Sequence, residues 1–489
     1  MYRIEWEKYL SHERFRKEAE DGKDYCYCFE QDLRRVVFCP AIRRMHDKTQ
    51  VIPLSNGDMQ LTRLTHSVQV MDVAEMLANR LTHNEEFIKM YQENAMAFSH
   101  SISTVLRAAA LIHDIGNPPF GHFGEVTIQN YFKRYLKSRH IITDEQSLDF
   151  TEFDGNALGL RIVSKLQYTG TLDGLNLTYA TLGAYLKYPN AGKCIGDEGY
   201  VGCHKHGVFK SEEDLFKEIV SKCNMEAKGK GYKRHPLSFL VEAADSICYG
   251  IMDVEDAYNL GWCDFDTIVD YLNSYIEKKV EDKGILKGFL KDGKFSIEKL
   301  IGFSRTWSHE GKEFRKDRRR LIVDFREKVI DYLVDFTVEC FKENLEGIDN
   351  GSFDDEILRK DKFIVSKALG AFAKRYIISR REVQQTELTG NSVITGLLDI
   401  LLRYSFHEDK NHRAKINAVI AASRFEEMVH ENEFKRYPLN GFIWEIDPWD
   451  SDIEKFSPYA KLRVIVDFVG SMTDKYSVEL YQRLSGMKL

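Results

Sequence analysis

A histidine and an aspartate stand side by side at His113 and Asp114, at the end of the apolar run VLRAAALI. The IGNPP sequence that follows contains a glycine and two prolines, which predict that a helix ends close to this pair. Adjacent side chains point about 100° apart within a helix, but at a helix end they can converge on one ion. Metal binding is therefore one interpretation of the pair, and a hydrogen-bonded structural pair is the other.

Two further segments supply candidate metal ligands. The RLTHS sequence places His66 in the first turns of a predicted amphipathic helix, with Thr62 or Thr65 as a possible cap. Asp245 stands in an apolar helical stretch, where an uncompensated carboxylate would be costly to bury and a cation would offset that cost. A site with two histidines and two carboxylates, open to water or a phosphate oxygen, would result from His66, His113, Asp114 and Asp245.

Helices must position these residues. The 489-residue chain has only nine prolines, and apolar residues recur at three- and four-residue spacing, for example between Leu64 and Leu77. These patterns predict an all-α fold, in which Asp245, Tyr249 and Asp253, spaced four residues apart, share one helix face. Period-two alternation is scarce, and the segment 442–446 is the one candidate for a short strand.

Composition and charge exclude several classes of protein. Apolar residues make up 43% of the chain and charged residues 30%, a balance typical of a globular protein. The net charge is 69 − 76 = −7, so a polyanionic partner would have to be held by a local basic cluster. No apolar run approaches the ~18 residues that span a bilayer, and the charged start does not resemble a secretory signal. We therefore expect a cytoplasmic protein without membrane contact.

The nine cysteines are too few and too scattered for a disulfide framework, and they fit a reducing compartment. One patch contains potential zinc ligands but lacks paired CxxC knuckles, and we do not expect zinc there. Its members are Cys194, Cys203, His204, His206 and Cys223. Breaks in the helical pattern predict an N-terminal segment (1–30), a catalytic core (31–265), a charged helical region (266–380) and a C-terminal helical region (381–489).

Several long motifs occur in a fixed order along the chain, and by these motifs the chain resembles the bacterial HD-domain deoxyguanosine triphosphate triphosphohydrolases. The motifs are RRVVFCPAIRRMHDKTQV (34–51), RLTHS (63–67), HDIGNPPFGHFGE (113–125), FDGNA (153–157), LTYATLGAYLKYP (177–189), RHPLSFLVEAADSICY (234–249) and DFVGSMTDKYSVELY (467–481). The resemblance implies a helical HD-domain core and a metal-dependent hydrolase. The implied reaction cleaves dGTP, or other deoxynucleoside triphosphates, into the deoxynucleoside and inorganic tripolyphosphate by water attack on the α-phosphorus.

The resemblance also implies a role for each matching residue. The metal ligands are His66, His113, Asp114 and Asp245. His122 matches the active-site histidine and Glu125 its acidic partner. Arg63 matches a phosphate-binding arginine, and Tyr249 and Asp253 match contacts to phosphate and the sugar 3′-hydroxyl.

Three further substrate contacts are proposed at positions that match the family's motifs less directly. His46 stands where relatives often carry glutamine, a base or sugar contact. Asn156 lies in a segment with Asp154 where glutamate is common, and Lys187 is a candidate for phosphate. The family further implies a homo-oligomer, with hexamers common, and an allosteric nucleotide or single-stranded DNA as effector.

The reaction chemistry is consistent with these roles. The 5′ oxygen of the deoxynucleoside is a poor leaving group, so a proton must be delivered to it as its bond to phosphorus breaks. A histidine such as His122 is suited to that task. The carboxylates favour Mg²⁺ or Mn²⁺, while the imidazoles are also compatible with Co²⁺ and Fe²⁺.

Two alternatives share these features. Another HD phosphohydrolase, a phosphodiesterase or an alarmone hydrolase, would use the same ligands. A nucleotide or single-strand sensor on the same fold would use the basic run KDRRR at 316–320.

Overall fold

The structure, a computed structural model, describes residues 2–16, 25–50, 61–167, 174–192, 200–226, 231–304, 313–425 and 457–487. Helices dominate these residues, which confirms the predicted all-α class. Within the described part of the chain the only strands are β1 (Leu290–Lys291) and β2 (Lys294–Phe295), which form a short antiparallel hairpin. The strand considered at 442–446 lies outside the described residues.

The α-helices follow one another along the described residues. They are α1 (Tyr25–Val37), α2 (Pro40–Arg44), α3 (Arg63–Thr82), α4 (Glu85–Tyr91), α5 (Ala95–Ile112), α6 (Gly121–Leu136), α7 (Asp144–Thr151), α8 (Gly155–Arg161), α9 (Tyr179–Tyr185), α10 (Glu213–Lys222), α11 (Pro236–Asn259), α12 (Phe265–Lys279), α13 (Lys283–Leu286), α14 (Ile297–Leu300), α15 (Glu313–Glu343), α16 (Leu345–Asn350), α17 (Val365–Ala373), α18 (Arg381–Ser405), α19 (Lys410–Phe425), α20 (Pro458–Ser471) and α21 (Asp474–Leu484).

Short 3₁₀ and π turns connect some of these helices. The 3₁₀ turns are Trp6–Lys8, Met45–Asp47, Gln92–Asn94, Val201–Cys203, Lys210–Glu212, Lys287–Phe289 and Ile357–Lys360. The π turns are Ile162–Leu166, which extends α8, and Lys374–Ile378, which extends α17.

Three helices form the centre of the core. Helix α3 packs along α5 and α11, and α15 covers α11 and α3 from outside. Because it lies in this core, α5 is apolar on almost every side. The stretch Glu85–Ile112 that contains it is long and apolar enough to cross a membrane, but 72% of its most apolar window is buried inside the protein. This stretch is longer than the apolar run read from the sequence, and its burial is typical of a core helix.

Local sequence explains where the key helices begin. Thr62 caps α3 and forms a capping box with Thr65, which identifies Thr62 as the cap. Helix α11 starts with Pro236 at its first position, where the missing N–H costs no hydrogen bond. Helix α6 begins at Gly121, whose φ of +58° suits glycine, and a side chain there would collide with the Arg63 guanidinium.

The C-terminal helices pack directly against the region of the His113–Asp114 pair. Helix α18 packs on α6, and α20 and α21 pack on α18. The Asp474 carboxylate at the start of α21 accepts hydrogen bonds from the backbone N–H groups of Thr49 and Phe120, both at 2.9 Å. One cluster of buried apolar residues extends from Ile4 to Leu480. The division of the chain at residues 265 and 380 stays a prediction.

Candidate active site

The candidate metal ligands come together at one point of the core. The ligand atoms of His66, His113 and Asp114 all lie within 4.8 Å of one another. Asp245 joins them, because its Oδ1 lies 3.0 Å from His66 Nε2 and 3.4 Å from His113 Nε2. Helices α3 and α11 and the end of α5 thus bring four residues, far apart in sequence, into one cluster.

The hydrogen bonds of His113 suit a metal ligand. Its Nδ1–H donates to the Ala110 carbonyl at 2.7 Å, which leaves the buried Nε2 to face Asp114 and Asp245, at 3.6 and 3.4 Å. Burial alone would lower the pKa of His113, but the charges of the two carboxylates outweigh it and raise that pKa to about 9. The cluster therefore attracts positive charge, and its imidazole and carboxylate donors fit a divalent cation.

The carboxylate of Asp114 is held by a separate partner on each oxygen. Arg63, at the start of α3, donates to Oδ2 at 2.6 Å, and the Asn117 amide donates to Oδ1 at 2.5 Å. Partners that orient a ligand in this way are typical of metal sites. Arg63 is thus engaged with a candidate ligand while it also lines the adjoining cleft.

A second pair of residues lies on the first turn of α6. His122 Nδ1 is 2.8 Å from Glu125 Oε2, and His122 is 75% exposed whereas Glu125 is only 5% exposed. The other Glu125 oxygen accepts from the Gly155 N–H at 2.8 Å, so the carboxylate is fixed before it meets the imidazole. The hydrogen bond to Glu125 raises the pKa of His122, against the lowering effect of its partial burial.

The metal cluster and the His122 pair face one cleft of about 670 Å³. The described residues that line it include Arg63, Asp114, His122, Glu125, Asn156, Asp245, Tyr249 and Asp253, together with Gln50 and Lys205. Its far wall is built by residues of the Lys374–Ile378 turn and the first turns of α18, among them Thr386 and Glu387. The volume is in the range of a small-molecule site.

Asp253 is the most unusual acid in the cleft. It is 2% exposed, its Oδ1 has no hydrogen-bond partner among the described residues, and Tyr249 is its hydrogen-bonding neighbour. Burial raises the pKa of Asp253 to about 8, so the carboxyl group is largely protonated at neutral pH. An unpartnered buried oxygen in a cleft is a ready contact for a ligand hydroxyl.

Two of the predicted substrate contacts do not belong to the lining of this cleft. His46 is 71% exposed and lies 3.3 Å from Asp47, and Lys187 pairs with Glu242 at 3.3 Å. Asn156 does line the cleft, with its amide donating to Asp154 at 2.7 Å.

The cysteine and histidine patch has no zinc geometry in its described part. His206 is buried and binds Asp149 at 2.9 Å, as a structural histidine does. Cys203 is disulfide-bonded, an exception to the reducing compartment that the cysteine content predicts. Cys194 lies outside the described residues.

Comparison with known proteins identifies the family. An HD domain matches residues 63–167, the stretch that contains His66, His113 and Asp114. A "Deoxyguanosinetriphosphate triphosphohydrolase-like protein" of Listeria innocua is 31% identical over 99% of this chain and 100% of its own length. The chain belongs to the deoxyguanosinetriphosphate triphosphohydrolase-like family.

Other members of this family extend the comparison. A protein of the same name from Synechocystis sp. is 29% identical over 99% of this chain and 100% of its own length. A "Deoxyguanosinetriphosphate triphosphohydrolase" of Yersinia enterocolitica is 28% identical over 95% of each chain. The protein is accordingly an HD-domain phosphohydrolase by family, and HD domains are metal-dependent hydrolases.

The structure adds cleft residues that sequence reasoning missed. Lys205 Nζ lies 2.9 Å from Asp154 and 3.6 Å from Glu125, beside the His122 pair. Gln50 lines the cleft with its Oε1 unpartnered among the described residues. Gln50 lies within the 34–51 motif and could have been chosen from it, whereas Lys205 lies outside every motif that carries the family resemblance.

Proposed function

We propose that this chain hydrolyses dGTP, or other deoxynucleoside triphosphates, to the deoxynucleoside and inorganic tripolyphosphate. The observation that carries the proposal is the shared cleft, which is lined by the two carboxylates of the two-histidine, two-carboxylate cluster and by the His122–Glu125 pair. The names of the relatives, which match over nearly their whole length, supply the substrate class.

In this reaction the oxygen of a water molecule bonds to the α-phosphorus, the water releases a proton to solvent, and the bond from phosphorus to the 5′ oxygen breaks. His122 gives its proton to that oxygen, which leaves as a hydroxyl group. Glu125 holds Nδ1–H of the imidazole, so that Nε2 carries the transferable proton. Because the Glu125 hydrogen bond raises the pKa of His122, the imidazole stays protonated to a higher pH than a free histidine.

The charge of the cleft supports a metal-dependent reaction. Besides the largely protonated Asp253, its described lining contains four acids, Asp114, Glu125, Asp245 and Glu387, but only two permanent cations, Arg63 and Lys205. A triphosphate brings about four more negative charges, so further positive charge is required. We propose that His66, His113, Asp114 and Asp245 hold the metal, with Mg²⁺ or Mn²⁺ preferred over Co²⁺ and Fe²⁺.

When bound, a divalent metal ion acts as a Lewis acid that offsets phosphate charge and makes water more acidic. Arg63 and Lys205, which line the cleft, would add further positive charge for the phosphates.

We assign the sugar to the α11 face. The unpartnered Asp253 oxygen would accept the 3′-hydroxyl, and Tyr249, packed beside it, would leave little room for a 2′-hydroxyl. Ribonucleotides would then be excluded by shape. Asn156, Lys187 and His46 remain proposed contacts to the rest of the substrate.

A product assay tests the proposal. The purified chain is incubated with each of the four deoxynucleoside triphosphates and with GTP, with Mn²⁺ or Mg²⁺, and with EDTA as the metal-free control. Deoxyguanosine together with tripolyphosphate, absent with EDTA and absent with GTP, is the expected result. Turnover of all four deoxynucleotides would keep the reaction and remove guanine selectivity.

Other products would favour the alternatives. Pyrophosphate or monophosphate would indicate a different HD phosphohydrolase. No turnover, even with effector nucleotides or single-stranded DNA added, would favour a binding protein. The proposed homo-oligomer, with a hexamer as the first expectation, is tested by light scattering of the same sample.

A further inference from the structure

Lys48 is a buried lysine close to the metal cluster. Its side chain is 2% exposed, and its Nζ donates to two backbone carbonyls, that of Asn117 at 2.5 Å and that of Gly470 at 3.3 Å. It forms no ion pair with a described residue. Burial lowers the pKa of Lys48 to about 7, with the nearby Arg44 charge adding to the effect. Keeping an ammonium here is therefore costly to the folded state.

The carbonyl of Asn117 connects Lys48 to one oxygen of Asp114, a candidate metal ligand. Asn117 receives the Lys48 hydrogen bond on its backbone, and its own side-chain amide donates to Asp114 Oδ1. A movement of the backbone at Asn117 would move that amide. Lys48 thus supports the partner of one Asp114 oxygen.

The backbone carbonyl of Lys48 is connected, through Arg63, to the other oxygen of Asp114. The Lys48 carbonyl accepts from the Arg63 N–H at 2.8 Å, at the first residue of α3, and Arg63 Nη1 binds Asp114 Oδ2. The two groups that hold the Asp114 carboxylate, Asn117 and Arg63, are therefore both attached to Lys48. The Gly470 carbonyl ties the same lysine to α20, in the C-terminal part of the chain.

We propose that Lys48 is a positioning residue that orients the Asp114 carboxylate for metal binding by anchoring Asn117 and Arg63 to the C-terminal helix α20. The proposal rests on the metal site of the proposed function. Lys48 itself touches none of the candidate ligands. Polar groups retained at a cost to folding are expected where a functional site needs them.

The test compares metal affinity with stability in the full chain. Lys48→Met keeps the length and volume of the side chain but removes the charge and the donors. The Mn²⁺ dissociation constant, measured by titration calorimetry, is expected to rise by about 10-fold or more, as on loss of a partner that orients a ligand. The melting temperature of the metal-free protein should not fall, because a costly buried charge has been removed. A purely structural role predicts the opposite, lower stability with unchanged affinity.

A double-mutant cycle tests the route through Asn117. Asn117→Ala should weaken Mn²⁺ binding by itself, and adding Lys48→Met to it should weaken binding by less than the product of the two single effects, because both act on Asp114. Effects that simply multiply would refute this route. Lys133→Met, which removes an exposed lysine paired with Glu152, is the matched control and should leave the affinity unchanged.

The remaining outcomes also decide. An unchanged Mn²⁺ dissociation constant in Lys48→Met removes the positioning role but leaves the proposed reaction intact. If that variant does not fold, Lys48→Gln replaces it, because its shorter side chain cannot join the carbonyls of Asn117 and Gly470. The proposal requires that link to α20, so wild-type affinity in this variant refutes it. A wild-type chain that binds no divalent ion would remove the metal site and this role together.

Discussion

Glu125 is almost completely buried, yet its carboxylate binds the imidazole of His122, a side chain that is three-quarters exposed. The buried acid is fixed by the Gly155 N–H on its other oxygen and lies near Lys205. The exposed histidine is therefore oriented from beneath, while its outer nitrogen stays open to the cleft. This is the arrangement expected of a proton donor that must meet a substrate.

Replacing His122 by Ala tests this role directly. We expect kcat to fall by a factor on the order of 10² or more, the usual contribution of a general acid. Metal content should not change, because His122 is not one of the four candidate ligands, and an exposed side chain contributes little to folding. Steady-state kinetics and metal analysis measure both effects. His140→Ala, at another exposed histidine, is the control, and near-wild-type turnover of the His122 variant would remove it from the mechanism.

The pH dependence of kcat tests the role of Glu125, the hydrogen-bond partner of His122. The Glu125 hydrogen bond raises the pKa of His122, and a general acid works only while protonated, so activity should be lost as the pH rises through that pKa. Glu125→Gln removes the negative charge and lowers the pKa of His122, so the alkaline limb of the kcat profile should move to lower pH. Glu152→Gln, at an acid paired with Lys133, should leave the profile in place. An unmoved limb in the Glu125 variant would separate this acid from the proton transfer.

The candidate ligands could be predicted from the sequence because local rules placed them. The prolines after His113 predicted the end of α5, and the threonine cap predicted the start of α3 near His66. Asp245 stood out as a charge in an apolar helix. In each case the signal was local, and packing of α3, α5 and α11 then brought the residues together.

The other cleft residues could not be predicted in this way. Lys205 lies in a loop without periodicity, and Glu387 reaches the cleft only because α18 packs on α6, a contact between distant segments. Lys48 lies within the 34–51 motif, but only the folded chain shows that its ammonium is buried against carbonyls. Burial and partner choice of this kind depend on tertiary packing, which sequence spacing does not encode.

Asp245 gives a sharper test of the metal site than activity alone. Asp245→Ala removes the carboxylate that touches both imidazoles, so bound metal and turnover should be lost together. Loss of Lewis-acid assistance is worth several kcal/mol, a factor on the order of 10³ in kcat. Inductively coupled plasma analysis and Mn²⁺ titration provide the measurement, with the neighbouring Ser246→Ala as control. Full metal binding in the Asp245 variant would contradict the four-ligand proposal.

Replacing Asp253 should raise the stability of the protein and weaken its binding of substrate. Its pKa is raised from 3.8 to about 8 by burial, so within this window the folded carboxyl is protonated while the unfolded one is ionised. Its contribution to stability is complete below the unfolded pKa and is lost as the pH rises through the folded one. Asp253→Asn cannot ionise, so the variant should gain stability over the wild type as the pH approaches about 8.

The size of that gain and its cost can both be measured. Each pKa unit corresponds to about 1.4 kcal/mol, which makes the gain on the order of a few kcal/mol. Denaturant unfolding at a series of pH values gives the difference, and the exposed Asp270→Asn should show none of this pH dependence. The same Asp253→Asn substitution weakens the proposed contact to the 3′-hydroxyl, so KM for the deoxynucleotide should rise while a 3′-deoxy analogue is affected little. A variant that loses stability at high pH would contradict the burial of a neutral Asp253, and equal effects on both substrates would contradict its contact with the sugar.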